Sequence, residues 1–305
     1  MVLDYGQMVK ENIEGHSDFN IKEDWYKGRK TGLSAVIRCY GEERWIGPCI
    51  ESCLPLYDEV LVTLTDVEGD RTEEIIKSFH SSKLRILRYP FKINKKYIKH
   101  PMQNVSYRKN CYSVHQFSYY TNWGLSHTRY SHVSSRWDAD HILRPEYATK
   151  KFHDFVVSKA NVRVRGCNVV TPDFHILSRQ NPYQTFHVRF AKVHPYLYFT
   201  GNSDDATYYG LPQLLSLKHW HHFPVQQTLG IFNRLMLRDA RVSDPIFFHT
   251  KFLKIREKNL SVKDKFHTGI SEEDLKGTPT VLLPGEKISY TIPDCVFKTP
   301  DDYLS

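Results

Sequence analysis

"GLSAVIRCYGEERWIGPCIESCLPLYDEVLVTLTD", residues 32–66, is the stretch on which the fold turns. Leu33 to Ile37 is a short apolar run, partly β-branched, with no polar alternation. Such a run reads as a strand covered on both faces, the habit of parallel sheets. Glu42 and Glu43 then precede Trp45, Ile46, Cys49, Ile50, Cys53 and Leu54, which fall on one helical face. Acids in a first turn complement the helix dipole, so a helix is expected to start there. "DEVLVTLTD", residues 58–66, is a second buried strand that ends at Asp66.

Outward from this core the pattern repeats. "DRTEEIIKSF", residues 70–79, reads as a second helix and "KLRILRYP", residues 83–90, as a third strand. Strand, helix, strand, helix, strand is a βαβαβ unit with a parallel sheet. Ligands of such sheets bind outside the carboxyl ends of the strands. There the chain carries Tyr40, Glu42, Asp66 and Asp70. A longer helical stretch over roughly 104–127 leads, through residues 128–137, into a fourth strand. Asp138 and Asp140 follow at its end.

That pair poses a question of charge. In an extended segment, side chains two apart point the same way. The two carboxylates then repel unless a cation lies between them. A solvated turn is the plain alternative. Because the pair joins the same edge as Asp66, a divalent cation and a nucleotide at the mouth of the sheet would explain it.

Composition sets the outer bounds. The 305 residues are 40% hydrophobic and 25% charged, ordinary values for a soluble globular protein. No stretch approaches the roughly 18 to 20 apolar residues of a membrane span. The N-terminus is polar without an apolar core, so a secretory signal is not expected. The six cysteines are scattered and lack the spacing of a zinc set, which reads as reduced thiols in the cytoplasm. A net charge of +8 and a pI near 9.0 suit an anionic partner: a nucleotide phosphate, an acidic lipid surface or nucleic acid.

The motifs and their order resemble the nucleotide-binding half of a GT-A-fold glycosyltransferase, closest to family 2. Residues 33–90 are similar to its apolar strand, its Tyr/Asn-Glu-Glu turn (here Tyr40, Glu42 and Glu43), its second strand ending in Asp and its Gly-Asp/Ser-x-Thr helix start. "TNWGLSHTRYSHVSSRWDADHIL", residues 121–143, is similar to its Asn-x-Gly helix followed by an Asp-x-Asp strand. A weaker similarity reaches about residue 225, in "FHVRFAKVHPYLYFTGNSDDATYYG" and "LSLKHWHHF". The resemblance implies a Rossmann-like, mixed but mainly parallel sheet flanked by helices, with a C-terminal helical and extended extension. It divides the chain into an N-terminal arm (1–30), a nucleotide-sugar half (31–145), an acceptor half (146–225) and the extension (226–305). Two departures stand out. The second strand ends "TDVEGDRT" without an Asp-Asp-Gly-Ser run, and the acceptor loop has Asp204 and Asp205 in place of Glu-Asp.

By that resemblance the chain transfers a sugar from a UDP- or GDP-sugar to a glycan or lipid-linked acceptor, with inversion. Asp140 would ligate Mn²⁺ or Mg²⁺, and Asp138 would touch the ribose or a metal-bound water. Asp66 would face the base or ribose, with Tyr40 and Glu42 beside it. Hard oxygen ligands fit those ions, and the ion acts as a Lewis acid on the leaving diphosphate. Many members complete the metal shell with a late histidine. In "LKHWHHF", His219 and His221 share one face of a strand and are the candidates, and an imidazole favours Mn²⁺ over Mg²⁺. Asp204 or Asp205, among Tyr198, Tyr208 and Tyr209, is the expected general base, with Glu146 the weaker choice. The basic, Phe- and Leu-bearing stretch after residue 226 either covers the core or rests on an anionic membrane. A nucleotidyltransferase would want a Gly-rich, Lys-bearing loop after the first strand, and "RCYGEERWIG" has no Lys. The positive charge keeps nucleic acid as an alternative acceptor or partner, although no binding motif for it is present.

Overall fold

The structure is a computed structural model that describes residues 11–65, 68–93, 113–169, 176–177, 187–195, 197–199, 207–209, 240–250, 281–283, 286–288 and 292–305. The expected βαβαβ unit is present: β1 (Lys30–Tyr40), α1 (Glu43–Cys53), β2 (Glu59–Thr65), α2 (Thr72–Ser78) and β3 (Leu84–Tyr89). It continues through α3 (Phe117–Ser126) into β4 (Tyr130–Asp138) and the short β5 (His141–Leu143). β1 runs three residues further at each end than its apolar run and takes in Arg38 and Tyr40 at its carboxyl end.

β3, β2, β1 and β4 are neighbours in that order and all parallel. The sequence order reverses between β2 and β4, on either side of β1, which makes the carboxyl ends of β1 and β4 a topological switch point. β8 (His187–Lys192) then joins β4 antiparallel and also pairs β6 (Asn161–Val169) antiparallel. β11 (Ala240–His249) lies parallel to β6 and antiparallel to β5. The fold is α/β with a mixed sheet flanked by helices. It departs from a mainly parallel sheet: beyond β4 most pairings are antiparallel. β6 and β8, from the expected acceptor half, continue the sheet of the nucleotide half without a break.

Alternation along β1 shows how the sheet is covered. Leu33, Ala35, Ile37 and Cys39 enter the core with Ile46, Cys49 and Ile50 of α1 and Ile75 and Ile76 of α2. That cluster also takes in Phe152 and Val156 of α4 (Lys150–Val157). Pro48 sits inside α1, where proline costs about 3 kcal/mol. Trp45, Ile46 and Ile50, all buried, offset this at about 1.5–3 kcal/mol each. The opposite face holds α3, whose Tyr119, Tyr120 and Trp123 pack with Tyr89 and Val133. Ile21 and Trp25 of the N-terminal arm are buried in the same cluster, so the arm is part of the core rather than an outer wrapping.

The Asn-x-Gly pair of α3 has a physical reason. A Cβ on Gly124 would lie 2.6 Å from Cγ2 of Thr63, so glycine lets the helix approach β2. Tyr120 closes the contact by donating its hydroxyl to the carbonyl of Thr63 at 2.5 Å. Asn122 faces the other way: its amide donates to the Phe199 carbonyl (2.9 Å) and accepts from the Phe199 amide (2.7 Å). Phe199 ends β9 (Leu197–Phe199), which pairs antiparallel with β10 (Thr207–Tyr209). The helix thus ties the second parallel strand to this small hairpin. At the C-terminus, residues 292–305 strap onto α1, with Lys298 and the Tyr303 hydroxyl both bonded to Glu51.

Candidate functional site

Asp138 is the last residue of β4, and the chain turns immediately after it. The amide of Ala139 donates to the Arg38 carbonyl at 3.2 Å, continuing the β1–β4 ladder by one bond. Asp140 then drops inward, and Thr250 donates to its carbonyl from both its amide (3.0 Å) and its hydroxyl (3.3 Å). Its carboxylate is buried, with the side chain 9% exposed, whereas that of Asp138 is 36% exposed. The assumed extended geometry is therefore replaced by a turn, and the repulsion is relieved by neighbours already in the protein.

Three such neighbours act on Asp138 and Asp140. Arg38 donates to Oδ1 of Asp138 from Nε at 2.7 Å and lies 2.5 Å away through Nη2. His141 stands between the two acids: its Nε2 is 4.0 Å from Oδ2 of Asp138 and 4.0 Å from Oδ1 of Asp140. The third neighbour arrives on β11. His249 places Nε2 3.7 Å from Oδ2 of Asp140, and its ring crosses that of His141 with centroids 4.6 Å apart. The register that does this is Phe248 opposite Ile142 and His249 opposite His141.

Asp140, His141 and His249 offer ligand atoms that all lie within 4.8 Å of one another, so the cluster could bind a metal ion. Ligands on an ion with bonds of about 2.1 Å lie about 3.0–3.4 Å apart, so the Asp140–His249 pair needs to close by only a few tenths of an ångström. His141 differs from His249 in one respect. The Asp138 amide donates to its Nδ1 at 3.1 Å, so Nδ1 carries the lone pair and Nε2 the hydrogen of the neutral ring. A ligating histidine ordinarily donates through its other nitrogen. With this ring setting His141 stands between the two carboxylates, and Asp140 and His249 are the pair that could serve as ligands.

The floor beneath is a thiol layer. Cys49 donates its thiol to the Asp138 carbonyl at 3.6 Å. Burial raises its pKa well above the ordinary value, and the neighbouring Cys53 and the Asp140 carboxylate push the same way. It is an inert packing group here.

The expected site residues fall into three sets. Asp138 and Asp140 are brought together at the switch point. Tyr40 and Glu42 lie at the carboxyl end of β1, Tyr40 56% exposed and Glu42 half-buried at the start of α1. Asp66, Asp204, Asp205, His219 and His221 lie outside the described residues. Asp70 accepts from the Thr72 amide at 2.7 Å in the turn just ahead of α2. Glu146 is held by Arg144 at 3.1 Å. Sequence reasoning expected a late histidine but not His249. Its signal was an apolar strand ending in histidine, "IFFHT", residues 246–250, which no local spacing links to Asp140. Neither protein-family models nor curated protein sequences match the chain. Among the described residues, no helix is long and apolar enough to cross a membrane.

Proposed function

We propose that this chain is a metal-dependent, inverting glycosyltransferase of the GT-A type. It takes the sugar of a UDP- or GDP-sugar and passes it to a hydroxyl of a glycan or lipid-linked glycan in the cytoplasm. The observation that carries the reading is the gathering of Asp140, His141 and His249 beside Asp138 at the switch point of β1 and β4. Open α/β sheets bind their ligands at such a crevice. The parallel run β3-β2-β1-β4, met by antiparallel β8, accords with the same reading.

Each residue has a part. Asp140 and His249 would hold Mn²⁺ or, less well, Mg²⁺. When bound, the ion supplies Lewis-acid stabilisation of the leaving diphosphate. His141 holds the two carboxylates at a fixed separation. Asp138 keeps Oδ1 on Arg38 and turns its other oxygen to the ribose. Tyr40 offers an exposed ring to the base. By resemblance alone, Asp204 or Asp205 takes the acceptor's proton, and the basic C-terminal stretch meets an anionic membrane where the acceptor is lipid-linked.

Calorimetry of UDP and of GDP, first with Mn²⁺ and then with EDTA, tests the reading. At least one nucleotide should bind at least about tenfold more weakly in EDTA, since two protein ligands and the diphosphate share the ion. Equal affinity in both conditions would sink it.

A further inference from the structure

Even-numbered residues of β1 face α3, and among Ser34 and Val36 the sequence places a charge, Arg38. Its side chain is 5% exposed. A buried guanidinium is costly unless paired and hydrogen-bonded. The register of the parallel pair supplies the partner, because Arg38 stands opposite Asp138. The side chain is clamped further by the ring of Phe117, 4.6 Å from its central carbon.

The pairing is lopsided. Nε and Nη2 both go to one oxygen, Oδ1, which leaves Oδ2 toward His141. Nη1 is buried and has no hydrogen-bond partner among the described residues. A buried cationic donor without a partner is expensive, and a native structure keeps one for a reason. At the carboxyl end of β1, an anionic ligand oxygen would satisfy it.

We propose that Arg38 divides the two aspartates between two cations. It neutralises Asp138, so that the metal belongs to Asp140 and His249 alone, and it offers Nη1 to a phosphate oxygen of a nucleoside diphosphate. The inference rests on the metal- and nucleotide-binding reading above, and it makes Arg38 a nucleotide-binding residue that also sets the site's charge. The consequence runs against intuition. Removing Arg38 leaves Asp138 bare near the metal site, and one unit charge several ångströms away is worth about tenfold in cation affinity. Metal binding should tighten while nucleotide binding weakens. A mere structural prop, once removed, would weaken both.

The test titrates the full chain with Mn²⁺ alone and then with UDP at saturating Mn²⁺. Arg38→Gln should bind Mn²⁺ about tenfold more tightly and UDP about tenfold more weakly. Asp138→Asn, which leaves Arg38 uncompensated, should bind Mn²⁺ about tenfold more weakly. The double variant R38Q/D138N restores the charge and should return Mn²⁺ affinity to near the wild-type value. Circular dichroism reports whether each variant folds. If Arg38→Gln does not fold, Arg38→Lys keeps the cation and should hold Mn²⁺ affinity while losing UDP affinity. Weaker Mn²⁺ binding by a folded Arg38→Gln overturns the proposal, as does failure of the double variant to recover, since Asp138 would then be a ligand. A wild-type chain that binds no Mn²⁺ even with UDP or GDP present overturns the functional reading as well, a result distinct from either.

Discussion

On one side of β4 every described strand arrives parallel, and β1, β2 and β3 are linked in series through α1 and α2. On the other side β8 arrives antiparallel, and β11 reaches its partners from far along the chain. Thr250, just past β11, bonds Asp140 across 110 residues of sequence. The first side is built from local pattern and supplies position. The second supplies His249, the member of the candidate cluster that comes from a distant segment. An edge that concentrates negative charge is therefore completed by an element that no neighbouring segment encodes.

The two sides meet at an aromatic seam. Trp137 of β4 and Phe247 of β11 lie with ring centroids 5.3 Å apart, and Phe248 is fully buried beside Trp45 in a separate cluster. Truncating such residues typically costs about 3–5 kcal/mol. Trp137→Ala should lower the urea midpoint of the whole molecule. Phe248→Ala should cost a similar amount but release β11 first, seen as faster hydrogen exchange in residues 240–250 while β1 and β2 stay protected. Equal loss of protection in both regions would mean that the two sides unfold as one unit.

The first side was legible because its signals are short-range. Leu33–Ile37 and Val60–Leu64 are apolar on both faces, and only a sheet covered by helices buries them so. The end of β4 was legible as a charged edge for the same reason. What the sequence hid was contact between distant segments. Arg38 lay in plain view inside an apolar strand, yet its pairing with Asp138 depends on the β1–β4 register. The turn at Ala139 and Asp140 was likewise hidden, since an Asp-x-Asp pair reads equally as extended or bent. His249 was obscured by the three histidines near residue 220, whose spacing looked more like a ligand set.

A smaller effect sharpens the same contrast through pH. Burial lowers the pKa of His127 and His132, which flank the start of β4, and takes that of His194, just past β8, down to about 4. In each case the folded value lies below the unfolded one, so folding favours the neutral ring. The associated stability is fully present above about pH 6.5 and is lost as pH falls toward about 4. Urea midpoints measured across that window should drop. His194→Asn should remove a larger part of the drop than His132→Asn, and the reverse order would place the acid-labile region on the parallel side.

Asp140 and His249 are proposed to share one cation. Mn²⁺ affinity can be read from the signal of the free ion by electron paramagnetic resonance, in wild type, Asp140→Asn, His249→Ala and the double variant. Each single change should cost at least about 100-fold, more than outer-shell partners typically do, and the double should be hardly worse than the worse single. Additive losses, or wild-type affinity in either single variant, would contradict it.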